Sequence, residues 1–296
     1  MRESRLGYAL ILLAALLWGF IGVIAQGILD AGVGPIEIAF WRATLGGALF
    51  ALHAAWGGRL RLEPSRAGGR LRDALALVGF GLVGVTLFYA SLNLAIDRGG
   101  ISLAFILLYT APAFVAVLAR LLLGEPLGAR KIVLVVVAMC GVALVASDRG
   151  SGIVVSPASV AWGLAAGASY ASYYVFGKWI LGRYRPVTIY AFVLPVGALG
   201  LLPLVDFVPK TPTAWLLLGL LAVVSTYVAY LAYFTGLKRV EASRAVLVAT
   251  IEPVVAAVLA AWVFGERFGA AGVVGSALVL AAAALSSVHR ARGRAP

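Results

Sequence analysis

Apolar residues run along this chain in blocks, each near the roughly 20 residues that an α-helix needs to cross a bilayer, and the blocks follow one another from end to end. Ten membrane spans are predicted: Gly7 to Leu29, Pro35 to Trp56, Asp73 to Ile96, Gly99 to Leu123, Arg130 to Ser147, Pro157 to Ile180, Pro186 to Val205, Pro212 to Gly236, Ala242 to Phe264 and Phe268 to Val288. Ser156-Pro157 and Thr211-Pro212 place a hydroxyl at the N-cap and a proline at the first helical position, where its missing N–H costs nothing. The first block is too long for a signal peptide and no small-residue cleavage site precedes a polar mature chain, so it reads as a span. The polar breaks are short, which predicts neighbouring antiparallel helices.

The blocks also repeat. Sliding the chain by 141 positions lays Gly99 to Lys131 on Val240 to Gly272, with Tyr89 on Tyr230, Arg98 on Arg239, Ser102 on Ser243, Pro112 on Pro253 and Gly124-Glu125 on Gly265-Glu266. A proline, a Gly-Glu pair and a tyrosine in one ungapped register point to a duplicated unit of about 140 residues, here residues 1–148 and 149–296.

Composition agrees with an integral membrane protein: 62% of residues are hydrophobic and 12% charged, against about 25% charged in soluble domains. The net charge of +12 is explained by its placement. Arg2 and Arg5, Arg59 to Arg72, Arg130 and Lys131, Arg183 and Arg185, Lys238, Arg239 and Arg244, and Arg290 to Arg294 fall on one side, whereas the other holds Arg98, Arg149, Lys210 and Arg267. Short cytoplasmic loops retain positive charge, so both termini are expected in the cytoplasm and no nucleic-acid partner is needed. Five spans per copy is an odd number. The second copy therefore enters the membrane from the opposite side, giving an all-α protein of two five-helix inverted-topology repeats, an arrangement suited to alternating access around a midplane site.

Ten spans as five plus five, Pro112 and Pro253 within the fourth and ninth, and the Gly-Glu turns after them resemble the EamA-type members of the drug/metabolite transporter superfamily. The resemblance covers Gly7 to Val288. It implies a bacterial inner-membrane exporter of amino acids or other metabolites, one branch exporting aromatic and neutral amino acids. Small four-helix multidrug relatives rely on a glutamate in their first helix; the first span here has no acid.

Polar and aromatic residues inside spans carry the candidate chemistry, because hydrocarbon penalises any polar group without a partner or water. At about 100° per residue, Thr86, Tyr89 and Asn93 share a face of the third helix, and Tyr227, Tyr230 and Phe234 share one of the eighth. Two such faces would line a substrate cavity, offering ring area and hydrogen bonds, although aromatic packing between helices is the plainer alternative. Trp18, Tyr109, Tyr170 and Tyr173 join the cavity set. Trp162 and Tyr174 share the sixth span with the last two, and Trp162 equally suits an interfacial anchor. Pro112 and Pro253 are expected hinges. Glu252, before Pro253, is a protonatable carboxyl that could couple protons, pair with a substrate ammonium, or hold the proline break together. Lys178 is expected to snorkel to the headgroups, Glu37 and Arg42 to serve an interface or loop, and Glu125 and Glu266 to cap the N-terminus of the next helix. Glycine pieces such as Gly46-Gly47, Gly79-x-Gly81 and Gly197-x-x-Gly200 are expected to allow close helix approach.

Cys140 is the only cysteine and is expected to be a buried, inert thiol, and the histidines, His53 and His289, stand near a span end and in the tail. Neither a metal site, a cofactor nor catalytic machinery is expected: a membrane enzyme would need a nucleophile with its base, or clustered acids. A channel would line its pore with a repeated ring or polar filter, which nothing here supplies. The expectation is a monomeric secondary transporter in membrane lipid. Its substrate would be a small amphiphile, first an aromatic or other neutral amino acid held by cation–π contact and stacking, with another metabolite or a lipophilic drug as the alternative.

Overall fold

A computed structural model of the chain describes residues 2–57, 70–147, 155–264 and 269–287, and these form helices with no strand among them. Helical runs cover residues 2–30 (α1), 35–56 (α2), 70–99 (α3), 101–123 (α4), 129–147 (α5), 157–180 (α6), 186–204 (α7), 212–237 (α8), 242–264 (α9) and 270–287 (α10). Seven of them, all but α5, α6 and α10, are long and apolar enough to cross a membrane. The shortfall in α6 has a chemical origin: it devotes buried positions to Gly163, Gly167, Ser169, Tyr173 and Tyr174. Gly265-Glu266, Arg59, Arg61, Arg66, Arg149, Arg267, His289 and the tail arginines lie outside the described residues.

Helix ends follow local chemistry. Ser156 and Ser159 form a reciprocal capping box at the start of α6, and Thr211 Oγ1 accepts from Ala214 N at 3.1 Å at the start of α8. Helices α1 and α8, α2 and α7, α3 and α6, and α5 and α10 are the main packed pairs. Between helices in lipid there is little hydrophobic drive, so close van der Waals approach matters. A Cβ on Gly236 would sit 2.6 Å from the Gly7 carbonyl oxygen, and one on Gly81 2.8 Å from that of Val193, so at both crossings backbone meets backbone. Gly79, by contrast, faces open space.

Two kinds of irregularity occur 141 positions apart. In α4 and α9 the regular ladder stops before the proline: Thr110 N–H reaches Leu107 O at 3.1 Å and Ile251 N–H reaches Val248 O at 3.2 Å, after which Ala113 N–H bonds Thr110 O and Val254 N–H bonds Ile251 O. In α3 and α8 a widened π-type stretch spans Leu82–Leu87 and Leu221–Val228. It closes with Phe88 N–H on Val83 O and Ala229 N–H on Val224 O, each reaching back five residues. Such turns re-aim the residues that follow them and are frequent at functional sites.

The outer surface of the bundle is apolar, as a lipid-facing surface must be: Leu121 and Leu122 are exposed, and Trp262 is 83% exposed. Cys140 belongs to this surface, which corrects the expectation that it is buried. It falls on the side of α5 turned away from the bundle, where hydrocarbon accepts a thiol as readily as a protein core does.

Candidate functional site

The centre of the bundle is built around a residue that the sequence reading assigned to an interface or loop. Arg42, on α2, is 8% exposed. Its Nε donates to Thr226 Oγ1 at 2.8 Å and its Nη2 to the Ser225 carbonyl at 3.1 Å. Both acceptors sit in the π-type stretch of α8, whose Ser225 hydroxyl donates in turn to Leu17 O of α1 at 3.0 Å. The widened turn thus holds the guanidinium through neutral oxygens. Tyr89, Tyr230, Tyr173 and Glu252 all lie within electrostatic reach of it.

Aromatic rings enclose the same space. Tyr230 meets Trp18 edge-on at 5.9 Å, Tyr173 at 5.8 Å and Tyr190 at 4.9 Å, and the Arg42 Cζ is 6.0 Å from its ring centroid. Its hydroxyl donates to that of Tyr173 at 3.4 Å. Tyr170 stacks on Phe88 at 5.3 Å, and Phe88 contacts Tyr89 at 4.8 Å. Three buried donors on these aromatic residues, Trp18 Nε1, Tyr190 Oη and Tyr233 Oη, have no hydrogen-bond partner among the described residues. Unpaired polar groups are costly in a dry interior.

Glu252 closes the enclosure on the α9 side. The break at residues 250–251 makes it the first residue of the helical segment Glu252–Phe264, where a carboxylate is favoured by the helix dipole. It accepts from Tyr170 Oη at 3.4 Å. It is half-buried, so a group deep in the bundle still meets open space.

Of the cavity residues expected from sequence, Trp18, Tyr89, Tyr170, Tyr173 and Tyr230 come together with Glu252. Thr86, Asn93 and Tyr227 make other contacts. Thr86 donates to the Gly197 carbonyl of α7 at 3.0 Å, and Asn93 Nδ2 bonds the Tyr89 carbonyl of its own helix at 2.8 Å. The widened turn at 82–87 breaks the 100° arithmetic that put Thr86 on the same face as Tyr89. Tyr227 turns to α2, where its hydroxyl is 2.6 Å from His53 Nδ1 and its ring 4.9 Å from Phe50. Tyr109 packs its ring with Val142, Val254 and Val279 and stays within electrostatic reach of Tyr170. Tyr190 and Tyr233 belong to the enclosure and were missed, as was Arg42. For Arg42 a signal existed: a guanidinium inside an apolar span invites the same functional suspicion as the carboxyl of Glu252.

On the face opposite the α2 N-terminus, polar groups tie helices together. Glu125 accepts from Ala242 N at 2.7 Å and from Ser243 N at 3.2 Å, so it caps α9 rather than the helix that follows it. Lys131 bonds Ser243 Oγ at 2.7 Å and pairs with Glu241 at 2.8 Å. Burial works against the Glu241 charge, but Lys131 and Arg244 bring its carboxyl below the usual range. Lys178 does not snorkel: its ammonium binds the Leu237 carbonyl at 2.5 Å and that of Val240 at 2.6 Å, satisfying the carbonyls that the end of α8 leaves open. On the other face Glu37 pairs with Lys210 and accepts from Trp41 Nε1 at 3.1 Å. Among the described residues no group of three or more His, Cys, Asp or Glu side chains could hold a metal ion.

Apolar helices with a lipid-facing outer surface and charged and aromatic groups at the centre define an integral membrane protein. Residues 5–147 and 157–288 each match the EamA-like transporter family, and the chain belongs to that family. It is 28% identical over 250 residues to an "Uncharacterized transporter" of Archaeoglobus fulgidus, covering 83% of this chain and 86% of that one. It is 24% identical over 305 residues, end to end in both chains, to the "Uncharacterized inner membrane transporter YicL" of Salmonella typhimurium. A solved structure titled "Crystal structure of protein" shares the fold with a TM-score of 0.79 at 19% identity, covering 96% of each chain. The protein is therefore a multi-pass membrane protein of a transporter family.

Proposed function

We propose that this chain is a secondary transporter that exports small amphiphiles, first of all aromatic and other neutral amino acids, across a bacterial inner membrane by alternating access. The observation that carries this reading is the presence of opposite charges, Arg42 and Glu252, within electrostatic reach of each other among tyrosines and Trp18. An amino acid carries both charges and offers an apolar side chain for the rings. Two family matches within one chain, and irregularities recurring 141 positions apart, support ten spans arranged as two inverted repeats, 1–148 and 149–296, with both termini cytoplasmic. In this reading Pro112 and Pro253 are the hinges, one in each half. Export is the direction implied by the family resemblance. The energy comes from the substrate gradient or from protons.

Glu252 is the proton site of this scheme. It faces Arg42 and the Tyr170 hydroxyl, and a proton and a substrate ammonium compete for it, which links their movements. In liposomes, an imposed pH gradient is expected to stimulate tryptophan flux through the native chain. Glu252→Gln should lower flux severalfold and leave the remainder indifferent to the gradient. Undiminished gradient stimulation in that variant would remove Glu252 from the coupling.

A further inference from the structure

Arg42 presents a chemical imbalance. Its hydrogen-bond partners are neutral oxygens, the Thr226 hydroxyl, the Ser225 carbonyl and the Tyr89 phenol. An arginine in an apolar span is expensive unless it pairs with an anion or faces water. A guanidinium has five N–H donors in a planar fork that matches a carboxylate, and three neutral acceptors leave donors over. The groups that face it from α3, α6, α8 and α9 are Tyr89, Tyr173, Tyr230 and Glu252. Glu252 acts on it by charge and not by contact: the hydrogen bond of Glu252 is with Tyr170, 3.4 Å away on α6. The enclosure thus keeps a cation on α2 and a carboxyl on α9 apart, each with capacity unused, across a space bordered by rings.

We propose that Arg42 anchors the carboxylate of the substrate while Glu252 receives its ammonium, so that the site selects α-amino acid zwitterions whose side chain lies against Tyr173, Tyr230 and Trp18. This rests on the transport reading above and sharpens it. A lipophilic cation meets the same rings and Glu252 but is repelled by Arg42. An organic anion meets Arg42 and is repelled by Glu252. The hydrogen bonds of Arg42 to α8 hold its planar group in place before the substrate arrives, which limits the ordering cost of binding.

The test is competition against labelled tryptophan on the purified full chain, with three ligands that share the indole: tryptophan, tryptamine, which lacks the carboxylate, and indole-3-propionate, which lacks the ammonium. Loss of a charge-assisted, bidentate contact predicts that tryptamine binds the native chain about 10- to 100-fold more weakly than tryptophan. Indole-3-propionate should be weakened likewise. Arg42→Gln should bring tryptophan down to the level of tryptamine and leave tryptamine no weaker; Arg42→Lys should fall between. Equal binding of tryptophan and tryptamine by the native chain would overturn the anchor while leaving an aromatic carrier standing, and this comparison needs no variant to fold. A native chain that binds none of the three would overturn the amino-acid reading together with the anchor. An unchanged ratio of tryptophan to tryptamine in a folded Arg42→Gln protein would reduce Arg42 to a strap between α2 and α8.

Discussion

Replacing Asp73 by alanine will destabilise the folded chain by about 2–4 kcal/mol, the low side of what breaking a buried ion pair costs because Arg183 keeps some contact with solvent. Asp73 has no exposed surface. Its carboxylate accepts from Arg183 Nη1 at 2.5 Å and from Tyr184 Oη at 2.7 Å, and Arg183 lies 4.4 Å over the Trp179 ring. One side chain near the start of α3 thereby fixes the turn between α6 and α7. Its loss takes from Tyr184 and Arg183 the carboxylate they share, whereas Asp73→Asn keeps an acceptor and should cost less. Thermal unfolding of the purified protein measures this directly, and an unchanged melting temperature would refute the assignment. The same cluster makes an alkaline prediction. Burial first, then the bond to Asp73 and its charge, push the Tyr184 phenol up to about 12, above the ordinary value of about 10. A group raised on folding stabilises fully below its unfolded value, so this contribution is present below pH ~10 and is lost as the pH rises towards ~12.

Joining the clasp between Glu125 and Ser243 will stop transport. These residues sit at the end of α4 and the start of α9, in different halves, and Ser243 Oγ donates to Glu125 Oε2 at 2.5 Å. If the halves rock about Pro112 and Pro253, this face must part for substrate to enter or leave. Cysteines at the two positions, in a chain with Cys140 replaced by serine, can be linked by a short thiol-specific cross-linker that reductant cleaves. Flux should be abolished by linkage and recover on reduction. Full flux in the linked protein would exclude rocking at this face.

The parts legible in sequence were those set by local chemistry. Ser156 and Thr211 start helices because hydroxyls satisfy open N–H groups, and the regular ladder is interrupted just before Pro112 and before Pro253. Register beyond an irregular turn was not legible. No residue announces the π-type stretches at 82–87 and 221–228, yet they separate Thr86 from Tyr89 and Tyr227 from Tyr230. Nor could helix periodicity reveal which carbonyls a distant lysine would satisfy, and so Lys178 was assigned to lipid when it closes the end of α8. Symmetry found Tyr89 and Tyr230 because each has a counterpart one repeat away. Tyr190 falls on Leu49 under the same shift, so the comparison passed over it. The partners of Arg42 are not visible within its own helix, because two of its acceptors lie on α8, 183 and 184 positions along the chain.

The most direct measurement of the central claim is flux of labelled tryptophan through liposomes holding the purified chain, beside a lipophilic aromatic cation lacking a carboxylate. The account predicts that tryptophan crosses, that unlabelled neutral amino acids compete with it, and that the cation does not cross. Movement of the cation without tryptophan would contradict it and make the tyrosine enclosure a drug pocket.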